Sequence, residues 1–121
     1  MTTSEIANKL VSLCSAGKFK EATKSLYSND ILSVEAGAPP GQSRESKGLQ
    51  GVLGKANWWE ANHEVHSNKV EGPLVAGPHF AVTFKMDVTH KPDGKRFQME
   101  EIAVYEVADG KIVREEFFYK M

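Results

Sequence analysis

From Phe80 to Thr89 the chain alternates without interruption: Phe80, Val82, Phe84, Met86 and Val88 are apolar or bulky, and Ala81, Thr83, Lys85, Asp87 and Thr89 fall between them. Such a period of two sends alternate side chains to opposite faces of an extended chain, so the segment reads as a half-buried strand. One strand leaves its backbone groups unpaired, and the sequence supplies partners on its C-terminal side. Pro92-Asp93-Gly94 turns the chain into Phe97 to Val107, and Ala108-Asp109-Gly110 turns it again into Lys111 to Tyr119. Three strands joined by tight turns form an antiparallel meander. A further strand, Glu64 to Glu71, precedes it across the punctuation Gly72-Pro73 and Gly77-Pro78.

The first half carries a different period. Ile6, Leu10, Leu13 and Cys14 recur at helical spacing, Thr2 and Glu5 have capping-box separation, and Gly17 stands where a helix stops. Phe19, Ala22 and Leu26 mark a second short helix, which Ser28-Asn29-Asp30 is expected to break before a first strand at Ile31 to Ala36. Gly37 to Ser46 is dense in turn formers and reads as a mobile loop that can cover a pocket mouth. Leu49, Val52, Leu53, Ala56 and Trp59 then lie on one face of a third helix ending near Asn62. The expected order is helix, helix, strand, helix and four strands, an α+β fold in a single domain over residues 1–121.

Composition removes several function classes. The 15 Lys and Arg nearly balance the 16 Asp and Glu, so no field gathers nucleic acid or anionic lipid. Cys14 is the single cysteine, which leaves no internal disulfide and no thiolate cluster, and a reducing cytoplasm is the expected compartment. The N-terminus has no basic region followed by an apolar run, and no apolar stretch reaches membrane-spanning length, so neither an export signal nor a membrane span is expected. A phosphate-cradling glycine motif, a serine elbow and a dinucleotide fingerprint are all missing. The chemistry expected is therefore independent of a cofactor, and no metal is expected because no third ligand accompanies His63 and His66 at fixed spacing.

Strand parity nominates the site. On Phe97 to Val107, the residues Met99, Glu101, Ala103, Tyr105 and Val107 share one face, and on Lys111 to Tyr119 the residues Val113, Glu115, Phe117 and Tyr119 do. Each face of both strands mixes apolar and charged groups, so one face is expected to line a pocket and the other to meet a second copy of the chain. Glu101 and Glu115 are the first acid–base candidates, because burial and a neighbouring carboxylate both raise a carboxyl pKa toward useful values. The bland alternative pairs each of them with Arg114, Lys85, Lys111 or a histidine on a solvated face. His66 shares a predicted face with Asn68 and Val70 and is a third candidate, with a satisfied structural histidine as its alternative. Trp58, Trp59, Phe80, Phe84, Met86, Tyr105, Phe117 and Tyr119 are the expected wall for a small hydrophobic molecule. Cys14 reads as a small hydrophobe, and His79 and His90 lie at strand ends with no assigned role.

Leu26-Tyr27-Ser28-Asn29-Asp30, Lys47-Gly48 before a helix, and Tyr105-Glu106-Val107-Ala108-Asp109-Gly110-Lys111-Ile112 together resemble the nuclear transport factor 2-like superfamily, and within it the SnoaL-like domains related to ketosteroid isomerases and polyketide cyclases. The resemblance covers essentially the whole chain. It implies a cone-shaped roll with three helices on a strongly bent antiparallel or mixed sheet, a dimer built through the outer sheet face, and a pocket that hosts isomerases, cyclases and dehydratases as well as domains without activity. Carried over by position, the oxyanion-binding tyrosine of ketosteroid isomerases falls on Leu10, their catalytic aspartate at or next to Ala36 with Glu35 the nearest carboxylate, and their sheet carboxylic acid on Ala103. The resemblance thus implies no ordinary ketosteroid isomerase. Two expectations stand together: a small-molecule-binding protein, acting as a cofactor-independent isomerase, cyclase or dehydratase on a hydrophobic organic substrate, or a non-catalytic ligand-binding or protein-interaction domain.

Overall fold

The structure is a computed structural model and describes residues 1–120. Thr2 Oγ1 accepts from Glu5 N at 3.1 Å while Glu5 Oε1 accepts from Thr2 N at 2.9 Å, a capping box that starts helix α1, Thr3–Ser15. Helical spacing stacks Ile6, Leu10 and Cys14 on its buried side. Gly17 reverses the chain at φ +76 into α2, Phe19–Leu26, which buries Ala22, Thr23 and Leu26.

Strand β1, Tyr27–Val34, follows α2 without a gap, four residues ahead of the Ile31 start expected from sequence. Ser28-Asn29-Asp30 does bond its own backbone, with Asp30 N donating to Ser28 Oγ at 3.2 Å. It does so inside the strand, where pairing with the last strand slips between Tyr27 and Leu32. Tyr27 becomes a core residue as a result. The expected loop Gly37 to Ser46 also ends in structure. Glu45–Lys47 forms β2 and pairs with β1, and Glu35 N donates to Arg44 O at 2.8 Å. The described sheet therefore has one strand more than the sequence reading supplies.

After α3, Leu49–Asn62, come β3, His63–Ala76, β4, His79–His90, β5, Lys95–Ala108, and β6, Lys111–Phe118. The sheet order is β2-β1-β6-β5-β4-β3, with β1 and β6 parallel and the other neighbours antiparallel. The chain is thus α+β, three helices with one six-stranded mixed sheet, and β4, β5 and β6 are the meander expected from the alternation and the turns. Asp109 and Gly110 both take positive φ, +51 and +74, as a tight hairpin turn requires. Among the described residues no helix is long and apolar enough to cross a membrane.

Two bulges revise the parity. Val65 pairs with Val88 but Ser67 pairs with Asp87, so His66 is an extra residue and the strand changes phase around it. Val107 pairs with Ile112 while Glu106 pairs with Arg114, so Val113 is extra in β6 and Ile112 turns into the core.

All five bulky residues of the β4 alternation are buried, together with Ile6, Leu10, Leu26 and Ile31. Each such side chain contributes roughly 1.5–3 kcal/mol relative to exposure. Helix α3 adds only Val52 to the buried set. Its inner face is otherwise Lys55, Ala56 and Trp59, which line an open space between the helix and the sheet.

Candidate functional site

The space between α1, α2, α3 and the inner sheet face is a cavity of about 760 Å³. The sheet sets out its wall in rows. Glu101 lies opposite Phe84, Met99 opposite Met86, Ala103 opposite Phe117 and Tyr105 opposite Glu115. In parallel register β1 places Ser33 opposite Glu115, and the same alternation carries Ile31, Ser33 and Glu35 inward.

Glu115 is 3% exposed and each of its oxygens accepts a hydroxyl. Tyr27 donates to Oε2, and Ser33 donates to Oε1 at 2.9 Å. Burial pushes this carboxyl up, opposed by the Tyr27 hydrogen bond, by Lys55 and by Ser33. The Tyr27 phenol is held well above its ordinary range by burial and then by the Glu115 charge. Tyr105 behaves the same way, for the same two reasons in the same order.

Lys55 reaches the wall from α3. Its Nζ donates to Ser33 Oγ at 2.7 Å and to Glu35 Oε1 at 2.7 Å, and lies 5.5 Å from the centre of the Phe117 ring. Tyr119 OH donates to the second oxygen of Glu35 at 3.0 Å, and burial followed by the Glu35 charge pushes this phenol up to about 12. Glu101 differs from both other carboxylates. No hydrogen-bond donor or cation pairs with it among the described residues, and burial, then Glu35, then Glu115 raise it to about 7 against the pull of Lys55.

Of the residues nominated from sequence, Glu101, Glu115, Trp58, Trp59, Phe84, Met86, Tyr105, Phe117 and Tyr119 all line this cavity. Trp58 is a rim residue, 60% exposed, whereas Trp59 packs against the core. Phe80 is displaced from the expected wall. It lies behind Tyr105, with the rings stacked at 4.7 Å and 16°, and is core rather than lining. His66 is also displaced, because the bulge turns it outward, where its Nε2 lies 2.7 Å from Thr89 Oγ1. The cavity histidine is His63, stacked on Trp59 at 4.4 Å and 11°. Its Nδ1 is 2.8 Å from Trp59 O, and since a carbonyl only accepts, the hydrogen-bond pattern assigns the proton to Nδ1. Residues 37–46 contribute nothing to the wall.

Sequence reasoning missed Ser33 and Lys55, weighed His63 only as a metal ligand, placed Tyr27 at the end of the second helix near the aromatic wall, and set Glu35 aside. Two signals were present. Lys55 is three residues after Val52 and four before Trp59, hence on their helical face, and Ile31, Ser33 and Glu35 alternate.

The cavity brings together a carboxyl without a partner, an ammonium held by two hydrogen bonds and aromatic walls on the inner face of an α+β domain. A family model for the SnoaL-like domain matches residues 1–119, and the chain belongs to that family. It is similar to the solved structure of a candidate SnoaL-like polyketide cyclase from Mesorhizobium loti, at 42% identity and TM-score 0.92 over 98% of this chain and 100% of that one. The fold is shared with a candidate isomerase from Bacillus subtilis, at 20% identity and TM-score 0.77 over 99% of this chain and 90% of that one. It is shared also with a protein of ketosteroid isomerase-like fold from Catenulispora acidiphila, solved in complex with trimethylamine, at 18% identity and TM-score 0.74 over 100% and 88% of the two chains. No curated protein matches the chain.

Proposed function

We propose that this protein is a cofactor-independent acid–base catalyst acting on an uncharged hydrophobic carbonyl compound, with Glu101 as the proton-transferring group. In this reading Glu101 takes a proton from the carbon beside the carbonyl, the C–H electron pair enters the new C=C bond, and the carbonyl oxygen becomes an enolate oxygen. The Lys55 ammonium holds that negative charge, and Glu101 returns the proton to the same or a second carbon, completing an isomerisation or preparing a ring closure. The observation that carries the reading is the pairing of roles on one wall: a half-buried carboxyl without a partner and an ammonium fixed by two hydrogen bonds. The likeness to a candidate polyketide cyclase supports the same class of substrate.

Nitrobenzisoxazole tests it without knowledge of the natural substrate. One base removes its ring C–H proton, the C–H electron pair becomes the third bond of a nitrile, and the N–O bond breaks with its pair on oxygen, giving a coloured cyanophenolate. The expected result is turnover that saturates and drops at least about a hundredfold in Glu101→Gln. Turnover unchanged in that variant removes Glu101 from the role.

A non-catalytic pocket is the second reading, favoured by Glu35 already occupying the Lys55 ammonium. Ligand affinity intact in Glu101→Gln with no turnover in either protein selects it. In both readings the outer sheet face, where Ile102 and Phe118 stand opposite each other and are each 49% exposed, is the proposed homodimer surface, and light scattering on the pure protein decides it.

A further inference from the structure

We infer that Ser33 is a positioning residue that ties the buried Glu115 carboxylate to the Lys55 ammonium, and that Glu115 serves as the counter-charge for Lys55 rather than as a second proton carrier. Only the kinetic part of the test rests on the function proposed above.

The proton inventory fixes the direction of every bond in the chain. An ammonium has three donors and no acceptor, so the 2.7 Å contact between Lys55 Nζ and Ser33 Oγ runs from lysine to serine. The serine hydroxyl has one proton, and with Lys55 unable to accept it, that proton goes to Glu115 Oε1 at 2.9 Å. The other Glu115 oxygen is held by Tyr27. Both oxygens of Glu115 are therefore engaged by hydroxyls of the protein, whereas Glu101 has no such partner among the described residues. Lys55 has one donor left after Ser33 and Glu35.

The placement of these groups shows why the serine matters. Ser33 is 0% exposed and lies behind the residues that line the cavity. Its backbone is locked opposite Glu115 by the parallel pairing of β1 and β6, while Lys55 comes from α3. The Lys55–Glu35 pair alone is partly exposed at both ends, the kind of ion pair that leaves a lysine free to swing. A second anchor in the dry interior removes that freedom, and it ties the helix to the sheet behind the cavity wall. A serine that only satisfied Glu115 would leave Lys55 unaffected when removed.

The test is heteronuclear NMR of the lysine ammonium groups on the full chain. Lys55, assigned by its absence in Lys55→Met, is expected to give an ammonium signal protected from exchange in the parent. In Ser33→Ala its protons are expected to exchange at least about tenfold faster, the scale of one lost charge-assisted hydrogen bond. Ser33→Thr keeps the hydroxyl and is expected to restore protection. Ser33→Cys, close in size to serine but a poor hydrogen-bonding partner, repeats the experiment if the alanine variant does not fold. Exchange within about twofold of the parent in the folded Ala or Cys variant overturns the inference, because the scale of the lost bond is larger than that. With nitrobenzisoxazole, Ser33→Ala is expected to lower kcat about tenfold at constant KM, since charge stabilisation in the transition state is what Lys55 supplies. Absence of turnover in the parent counts against the proposed function alone, because the exchange measurement still decides the role of Ser33.

Discussion

Glu101 stands directly opposite Phe84 in the pairing of β4 and β5, so an ionisable carboxyl shares its row with a buried aromatic ring and has no partner for its charge. The folded protein therefore holds its proton more tightly than the unfolded chain, at about 7 against an ordinary 4.5. The folded state binds more protons between those values, so stability is fully present below about 4.5, falls as pH rises toward about 7, and is flat above. The loss is on the order of 3 kcal/mol, from a difference of about two and a half pKa steps. Glu101→Gln removes this dependence. Urea unfolding is expected to show the variant more stable than the parent at about pH 8 and close to it at about pH 4.5. Parallel curves for the two proteins count against a half-buried, unpaired Glu101.

The same titration governs catalysis in the opposite sense. A general base works when ionised, so kcat/KM for nitrobenzisoxazole is expected to rise with pH, level off above about 7, and follow one ionisation. Stability and activity then trade across one pH interval on one residue. A profile flat from about pH 5 to about pH 9 assigns the proton transfer to some other group.

Lys55 lowers the Glu101 titration, and its removal leaves Glu35 and Glu115 to act on Glu101 unopposed. Lys55→Met is therefore expected to move the Glu101 carboxyl above 7 in side-chain carboxyl NMR, while Lys55→Arg, which keeps the charge, leaves it near its parent position. A downward movement in Lys55→Met contradicts the electrostatics described for this wall.

How much of this was legible in the sequence depends on strand regularity. The β4 alternation and the two hairpin turns were read correctly because each is local: a period of two and a turn tripeptide need no tertiary partner. Glu101, Tyr105 and Phe84 inherit that regularity, and their inward placement followed. His66 did not, because a single bulge inverts every parity assignment beyond it and leaves no mark in residue type. Phe80 was on the correct face, but which inward residues line a void and which pack behind their neighbours depends on helix placement, and no periodicity encodes that. The strand position of Tyr27 was hidden for a third reason. Ser28-Asn29-Asp30 reads as a helix breaker, and only its pairing with β6 shows that it is an irregularity within a strand.

Charge bookkeeping around the cavity predicts its ligand preference. Both lysines on the wall are occupied, Lys20 by Glu60 at 3.2 Å and Lys55 by Glu35 at 2.7 Å, whereas Glu101 has no cation. A planar amine such as naphthylmethylamine is expected to bind at least about tenfold more tightly than naphthoate at about pH 8, measured by quenching of Trp58 and Trp59. The preference is expected to shrink below about pH 6, where Glu101 is protonated, and to be lost in Glu101→Gln. Tighter binding of the carboxylate at about pH 8 shows that the remaining donor of Lys55 outweighs the Glu101 charge.

Tyr27 closes the floor of the cavity by donating to Glu115 Oε2, and both groups are buried. Removing the donor leaves one oxygen of a buried carboxylate unsatisfied, while the phenyl ring of a phenylalanine keeps nearly all the packing. Tyr27→Phe is expected to cost roughly 1–3 kcal/mol in urea unfolding near neutral pH, the range for a buried partner left without its hydrogen bond. The cost has a pH signature. Without Tyr27 the Glu115 carboxyl rises further, since that hydrogen bond is the first influence opposing burial, and a protonated Glu115 needs one donor fewer. The folded variant therefore takes up its proton at higher pH than the parent, and the destabilisation shrinks as the solution is made acidic. A cost independent of pH assigns the effect to packing rather than to the Glu115 charge.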